Sequence, residues 1–384
     1  MRVVNAPQQM LHAVEAHPHA RALLLGALAP EGQPSHAYLF HGPPGTGKRT
    51  AAMAFAAALL AEGSENEEAV RQRVLRDAHP DLTWVRPSGA SEVLVSDVDE
   101  RVVSAVAHTP LESTRRVFVI EAAGTMNDQA ANRMLKTLEE PPPFAHLILL
   151  AEHREDVLPT IASRCQQVRF DPLPSDVVRE RLLAGAPSGL DSERAVACAR
   201  LAGGDAGLAE RLASEEGERL RACAEGFVRA AIASRSRERR WSELLEAART
   251  AGTRAGESAS ERVSLEAELL PARERRRHER EGADVARRAD RRARTATLDL
   301  LLRLAELWLR DAWCVAIGAH EVVFAADRLG ELESDAAGRD GAALLRGVEL
   351  VCDTRLRLPL NVSEELALEA LAYRLGSLFD GEAG

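Results

Sequence analysis

A short glycine-rich stretch at residues 41–50, HGPPGTGKRT, constrains the fold of this chain more than any other feature. It follows an apolar run at residues 37–40 and precedes an alanine-rich segment at residues 51–61. A buried strand that leads through glycines into a helix is the setting of a phosphate-binding loop, in which backbone N–H groups and the helix N-terminus hold phosphate oxygens. The stretch therefore predicts an α/β nucleotide-binding fold with a phosphate site after the first strand.

The motif departs from the usual pattern at one position. Gly42, Gly47 and Lys48 fit G-x-x-x-x-G-K-[ST], but Arg49 stands where serine or threonine is expected. That hydroxyl normally holds Mg²⁺, which bridges the phosphates and neutralises charge as the bond breaks. Thr50 is one residue further on, about 100° around the helix, and does not replace it without rearrangement. The candidate nucleotide-binding residues are Gly42, Gly45, Gly47, Lys48, Arg49 and Thr50.

Composition excludes several classes of protein. A net charge of −10 argues against a chain that grips nucleic acid over its whole surface, although a local basic face is compatible with it. The five cysteines have no C-x-x-C spacing, which predicts reduced thiols and neither a disulfide framework nor a zinc site. The longest apolar run, residues 51–61, is too short to span a bilayer. We expect a soluble cytoplasmic protein without a metal ion.

Strands and helices are predicted to alternate through the first part of the chain. The segment 1–35 predicts a helix followed by a loop, and four valines at helical spacing predict an amphipathic helix over residues 95–108. Further apolar runs predict strands at residues 82–85, 117–120, 147–150 and 167–170. Strands that alternate with helices imply a parallel sheet covered by helices on both faces.

Beyond residue 172 the pattern becomes helical. Short helices broken by glycines are predicted first, and a wide apolar face at residues 298–317, which includes Trp308 and Ile317, predicts the core helix of a bundle. The arginine-rich residues 273–294 favour a solvated helix with internal ion pairs, with contact to a phosphate backbone as the alternative. The expected domains are an α/β phosphate-loop domain at residues 1–172, a small helical lid at 173–215 and a helical oligomerisation domain at 216–384.

Three further motifs resemble one known family. NRMLKTLEEPP at residues 132–142 is followed by LILLAEHRED at 147–156 and TIASRC at 160–165. In this order they are similar to the bacterial clamp-loader subunits of DNA polymerase III, which are AAA+ ATPases. In that family the Ser-Arg-Cys box supplies an arginine to the ATP of a neighbouring subunit, and the resemblance implies this role for Arg164. A guanidinium there stabilises charge that develops on the γ-phosphate. The alternative is that Arg164 only pairs with a nearby acid.

Two types of subunit in that family carry the arginine box, the gamma/tau ATPase and the delta-prime subunit. The active type also has a magnesium hydroxyl, a water-orienting glutamate after an aspartate, sensing polar residues after the LILL strand, and an arginine that it presents to its own nucleotide. These positions are altered here. In chain order they are Arg49, Ala122 after Glu121, Ala151 with Glu152, and Gly207.

The altered positions and the retained Arg164 together resemble the delta-prime type. The resemblance implies a largely non-hydrolysing subunit that acts in trans on a gamma/tau ATP site and helps to load the sliding clamp on primed DNA during replication. It would be a component of a DNA-directed DNA polymerase holoenzyme and not catalytic by itself. An active gamma/tau-type ATPase is the alternative, in which Thr50 or Glu121 carries the magnesium ion.

The resemblance also implies a fold, a cofactor and partners. The expected fold is an AAA+ domain followed by a helical lid and an all-α collar. ATP or ADP is the candidate ligand of the loop, bound without hydrolysis, and zinc is not expected because residues 63–77 lack the cysteines of the family's zinc module. The implied partners are gamma/tau and delta subunits in a hetero-oligomeric ring, with the sliding clamp and primer-template DNA reached through the complex and no membrane.

Overall fold

The computed structural model describes residues 8–87, 98–185, 190–233, 238–268, 272–360 and 362–380. The chain divides into two compact units. One comprises Met1–Pro174 with Gly204–Ala206, and the other comprises Ser175–Gly203 with Gly207–Gly384. The separate lid expected at residues 173–215 stays a prediction.

The first unit is built on a parallel sheet of five strands in the order β2-β3-β4-β1-β5. The predicted parallel sheet is confirmed, and each predicted strand overlaps an observed one. The central strands are continuous apolar runs because helices cover both of their faces. The strands are β1 Ala37–His41, β2 Leu82–Val85, β3 Arg116–Ile120, β4 Ala145–Ala151 and β5 Gln166–Arg169.

Helices bury the two faces of this sheet in separate core clusters. On one face, Phe40 and Phe170 pack with Phe55 of the helix that follows the glycine-rich loop. On the other face, Phe118 packs in a cluster that includes Met134. The described helices of this unit are α1 Gln8–Ala13, α2 Pro18–Ala27, α3 Lys48–Ala61, α4 Glu67–Leu75, α5 Ser104–Val106 after a π-helical turn at Asp99–Val103, α6 Asp128–Glu139 and α7 Pro159–Ala162. Short 3₁₀ turns lie at Ala123–Thr125 and Arg154–Asp156.

Two helix predictions for this unit need adjustment. The segment 1–35 contains two helices and not one, because Pro18 lacks a backbone N–H and begins a new helix at its first position. The amphipathic helix predicted at residues 95–108 is present from residue 98 as a π-helical turn followed by one α-helical turn, with Val98, Val102 and Val106 buried. Residues 95–97 lie outside the described residues.

Beyond Pro174 the described chain is helical. The helices are α8 Ser175–Gly185, α9 Ser192–Ala202, α10 Ala206–Ala213, α11 Glu215–Ile232, α12 Trp241–Glu268, α13 Ala272–Ala316, α14 Leu329–Ala336, α15 Gly341–Arg357 and α16 Glu364–Asp380, with 3₁₀ turns at His320–Val322, Ala326–Arg328 and Leu358–Leu360. The predicted core helix lies within α13, where Leu301, Trp308 and Leu309 are buried. The prediction that Ile317 belongs to this face was wrong, because α13 ends at Ala316 and Ile317 is 56% exposed.

The arginine-rich residues 273–294 lie in α13, where some of their side chains are described. Arg287 pairs with Asp284 on the same helix, and Arg294 pairs with Glu364 at the start of α16. The Arg287–Asp284 contact is an internal ion pair of the predicted kind, whereas the Arg294–Glu364 contact joins two helices. Contact of this segment with a phosphate backbone stays a prediction.

Candidate phosphate site and arginine box

The glycine-rich loop joins the end of β1 to the start of α3, and two of its glycines leave no room for a side chain. A Cβ atom at Gly42 would lie 2.0 Å from the Phe170 carbonyl oxygen, so only glycine lets the chain pass this close to the end of β5. Gly45 has a φ of +69°, in the left-handed region, and a Cβ atom there would lie 1.7 Å from Oδ1 of Asp205. The Asp205 carboxylate therefore contacts the loop directly, and the Ala206 N–H donates to the Gly45 carbonyl over 3.3 Å.

Hydrogen bonds hold the loop from both sides. The Thr46 hydroxyl donates to the Pro43 carbonyl over 2.9 Å, and Nε2–H of the buried His17 donates to the Thr46 carbonyl over 2.7 Å. The Gly42 N–H donates to the Glu152 carbonyl, 3.0 Å away at the end of β4. The loop conformation is therefore set by three chain segments that are distant in sequence, and Glu152 contributes through its backbone.

Lys48, the first residue of α3, turns back onto the loop. Its Nζ donates to the Gly42 carbonyl and, over 2.6 Å, to the Pro43 carbonyl. Burial lowers the pKa of Lys48 below its ordinary value, and the carboxylates of Glu152 and Asp205 act in the opposite direction. The motif lysine is thus held among the chain's own carbonyl and carboxylate oxygens.

Arg49 contacts the acid that follows β3. Its Nε lies 3.3 Å from Oε1 of Glu121, and its guanidinium carbon lies 5.5 Å from the ring centroid of Trp84. The Trp84 indole N–H donates to the same Oε1 atom, and Arg86 Nε lies 3.9 Å from it. Thr50, by contrast, is exposed in the first turn of α3. The structure therefore brings together Arg49 and Glu121 and adds Trp84 and Arg86, which sequence reasoning missed. Trp84 and Arg86 could have been found from their position at the end of β2, which lies beside β3.

The residues at this position do not fit a magnesium ion. Mg²⁺ requires oxygen ligands in near-octahedral geometry. Here a guanidinium takes the place of the ligand hydroxyl, and Oε1 of Glu121 already accepts a hydrogen bond from Trp84 and faces two arginines. Within the described ranges, no group of three or more His, Cys, Asp or Glu side chains is placed to hold a metal ion.

Ala122, where the family resemblance implies a lost water-orienting glutamate, is conformationally unusual. Its φ and ψ are +51° and +43°, in the left-handed region that non-glycine residues rarely adopt. Its carbonyl accepts hydrogen bonds from both the N–H and the hydroxyl of Thr125, at 2.8 Å each. These bonds hold the tight turn, but the methyl group of Ala122 offers no acid–base chemistry.

Arg164 follows the short helix α7 and is partly exposed. Its Nη1 donates to the Thr160 carbonyl over 2.8 Å, and its Nη2 donates to Oε1 of Glu139, at the end of α6, over 2.6 Å. The pairing with a nearby acid that the alternative interpretation expected is therefore present. The adjacent Cys165 is buried, which raises the pKa of its thiol to about 12 and makes it a packed, unreactive group.

Strand direction separates Arg164 from the phosphate loop of its own chain. β1 and β5 are parallel, with Tyr38 opposite Gln166, so the amino ends of both strands lie at one edge of the sheet. The loop leaves the carboxyl end of β1 at Gly42, whereas Arg164 precedes the amino end of β5. At a rise of about 3.3 Å per residue, Gly42 lies roughly 13 Å further along the strand direction than Tyr38. The two predicted sites are therefore at opposite edges of the sheet.

Comparisons with known proteins match the phosphate-loop unit of this chain. Residues 19–174 match the family model described as DNA polymerase III, delta subunit. The DNA polymerase III subunit delta' of Bacillus subtilis is 36% identical over 175 residues, which is 44% of this chain and 52% of that protein. The delta' subunit of Pseudomonas aeruginosa is 36% identical over 194 residues, 49% of this chain and 59% of that protein.

A tau subunit is also among the relatives. The tau subunit of Bacillus subtilis is 33% identical over 154 residues, 39% of this chain and 27% of that protein. The chain thus spans between half and three fifths of the length of the two delta' relatives. No described helix has both the length and the apolar character that crossing a membrane requires. Through its phosphate-loop unit, the chain is similar to the delta' subunits of DNA polymerase III.

Proposed function

We propose that this chain is a delta-prime-type clamp-loader subunit that does not hydrolyse ATP itself and supplies Arg164 to the ATP site of a neighbouring gamma/tau subunit. The observation that carries the proposal is the position of Arg164 at the sheet edge opposite its own phosphate loop. An arginine at that edge serves a nucleotide held by another chain. In a head-to-tail ring, each subunit presents one edge to the loop of the next, because the donor and acceptor surfaces differ.

The contacts of Arg164 within its own chain are weak enough to be exchanged for the γ-phosphate of a neighbouring subunit. The Thr160 carbonyl orients one side of the guanidinium, and Glu139 pairs with the other side. Both members of this pair are exposed, with 37% and 50% of their side-chain surfaces accessible. Such a pair contributes about 0–1 kcal/mol. An arginine finger accelerates phosphoryl transfer roughly 10³–10⁵-fold, which corresponds to about 4–7 kcal/mol. Exchange of Glu139 for a γ-phosphate therefore costs less than it gains.

The chain's own phosphate loop lacks the parts needed for hydrolysis. Ala122 has no group that orients water, and Glu121 is engaged by Arg49 and Trp84. The gamma/tau-type ATPase remains the second candidate because of the similarity to a tau subunit. It requires Thr50 or Glu121 to carry the magnesium ion, for which Glu121 would exchange these contacts, and it leaves the water without a base.

The proposed partners are gamma/tau and delta subunits, with the sliding clamp and primed DNA reached through the assembled ring in the cytoplasm. Large apolar side chains remain exposed near the C-terminus of the helical unit, where a collar would associate with its neighbours. They are Leu356, Leu360, Leu366 and Tyr373, all more than 60% exposed. Surface of this kind is typical of a protein interface.

The test is ATP turnover, measured first for the purified chain and then for the chain reconstituted with gamma/tau and delta. We expect no turnover by the chain alone. In the complex, Arg164→Ala should lower turnover at the served site roughly 10³-fold or more while the complex still assembles. Arg169→Ala is the matched control, because Arg169 is an exposed arginine on the strand that follows Arg164 and pairs with the nearby Asp171.

Two results would contradict the proposal. Turnover by the chain alone that is abolished by Lys48→Ala would establish the ATPase alternative. Unchanged turnover of an intact complex that contains Arg164→Ala would show that Arg164 does not act on a neighbouring ATP site. Its contact with Glu139 would then be only a local ion pair.

A further inference from the structure

We infer that the Arg49 guanidinium takes the place of the magnesium ion in this phosphate loop, so that Mg²⁺ contributes nothing to any nucleotide binding by the chain. The inference concerns the chain's own loop and does not depend on the role of Arg164. The loop has therefore not only lost the hydroxyl that binds Mg²⁺. The Arg49 guanidinium also supplies a positive charge in place of the ion.

The geometry places Arg49 between the loop and the acid that would serve the metal. Arg49 is the second residue of α3, directly after the motif lysine, and its Nε lies 3.3 Å from Oε1 of Glu121. Glu121 is the acid at the end of β3, and only 21% of its side chain is exposed. An ion pair therefore joins the two positions that Mg²⁺ bridges in an active loop.

Neighbouring groups hold this pair in place. The Trp84 indole N–H donates to Oε1 of Glu121, and the Trp84 ring lies 5.5 Å from the guanidinium carbon of Arg49. A guanidinium at this distance from an indole ring is attracted by the negative charge of the ring face. Trp84 thus contacts both members of the ion pair and favours the conformation in which they meet.

The charges around the loop also oppose a divalent cation. Arg49 and Arg86 both approach Oε1 of Glu121, so an ion at that carboxylate would meet two positive charges. Their contacts leave this oxygen with N–H partners instead of the oxygen-rich shell that Mg²⁺ prefers. On the other side of the loop, the carboxylates of Glu152 and Asp205 interact with Lys48. The charge of the site is therefore balanced by groups of the chain itself.

The experiment is calorimetric titration of the full chain with ADP, in excess Mg²⁺ and in EDTA, for the wild type and for Arg49→Thr. For the wild type we expect the same ADP affinity in Mg²⁺ and in EDTA. If ADP does not bind measurably in one condition, it should not bind measurably in the other. In Arg49→Thr, which restores the hydroxyl, we expect Mg²⁺ to tighten ADP binding about tenfold or more. Electron paramagnetic resonance of Mn²⁺ should show bound metal in the ADP-loaded variant and none in the wild type.

Arg73→Thr is the matched control, because Arg73 also forms an ion pair with a glutamate, Glu112, but lies on α4, outside the loop. It should leave ADP binding insensitive to Mg²⁺. Tighter ADP binding by the wild type in Mg²⁺ would overturn the inference. So would an Arg49→Thr variant that shows no magnesium dependence while its circular dichroism spectrum matches the wild type, since Arg49 would then not be the group that excludes the metal.

Discussion

The loss of folding stability that we expect from Asp81→Asn follows directly from the hydrogen bonds that Asp81 accepts in the first unit. Asp81 precedes β2 and is fully buried. Its Oδ1 accepts the Leu111 N–H over 2.6 Å, and its Oδ2 accepts the N–H groups of Glu112 and Ser113 over 2.9 Å each. Its backbone carbonyl accepts the Val117 N–H over 2.9 Å at the start of β3. Asp81 therefore links the chain segment before β3 to the start of β2. Trp84 lies in β2, and Glu121 directly follows β3.

The cost can be worked out from these bonds. Asparagine has nearly the same shape, but only one end of its amide accepts hydrogen bonds. If the amide oxygen faces Glu112 and Ser113, the NH₂ group faces the Leu111 N–H and leaves a buried donor unpaired, at about 1–3 kcal/mol. The two remaining bonds lose their charge assistance, at about 1 kcal/mol each. We expect the first unit to lose about 3–5 kcal/mol of its free energy of unfolding.

The assay is hydrogen exchange by mass spectrometry as a function of urea, read on peptides that cover β2 and β3. These peptides report on the first unit, whereas circular dichroism would be dominated by the helices of the second. Asp77→Asn is the control, because Asp77 only pairs with Arg86 at the surface and should cost less than about 1 kcal/mol. Equal urea midpoints for the two variants would refute the reasoning.

The pH dependence gives a second check on Asp81. Burial alone would raise the pKa of Asp81, but the N–H groups of Leu111, Ser113 and Glu112 outweigh it and hold the pKa below its ordinary value of 3.8. A carboxyl with a lowered folded-state pKa stabilises the fold above its unfolded-state pKa, and this contribution is lost as the pH falls through the folded-state value. The stability difference between the wild type and Asp81→Asn should therefore be constant at neutral pH and shrink below about pH 4. A difference that grows on acidification would contradict this assignment.

Two other sites, Ala122 and the Arg221–Asp327 pair, test the described packing by urea unfolding. Ala122→Gly should stabilise the first unit by up to about 1 kcal/mol, because glycine relieves a left-handed conformation, whereas Ala130→Gly within α6 should destabilise it by about 1 kcal/mol. Equal losses in the two would show that Ala122 is unstrained. In the helical unit, Arg221 is 1% exposed, makes two 2.9 Å bonds to Asp327 and lies 3.7 Å from Glu225, so Arg221→Met should cost about 3–5 kcal/mol and a further Asp327→Leu should recover part of it. Additive losses in the double variant would contradict a buried, mutually dependent pair.

Much of the fold was readable from local patterns. The strands of the parallel sheet were predictable because a strand buried on both faces needs an unbroken apolar run, as in Val117–Ile120 of β3 and Leu147–Leu150 of β4. The helix errors came from boundaries. The Pro18 break and the exposure of Ile317 depend on where the chain turns, which a periodic pattern does not encode.

The sequence by itself selected the candidate residues for the chemistry. The glycines and Lys48 predicted a phosphate loop, Arg49 predicted the loss of its magnesium ligand, and the box that contains Arg164 predicted a second site. These conclusions rest on residue types at short spacings, because backbone geometry relates neighbours along a strand, turn or helix directly.

Only the tertiary structure decided which of these residues meet. Glu121 became the partner of Arg49, with Trp84 beside it, because the strands that carry these acidic and aromatic groups end at the same edge of the sheet as the phosphate loop. Arg164 was placed at the opposite edge because β5 runs parallel to β1 and begins where β1 begins. Strand order and direction are properties of the whole sheet, and they emerge only when distant segments bury their apolar faces together.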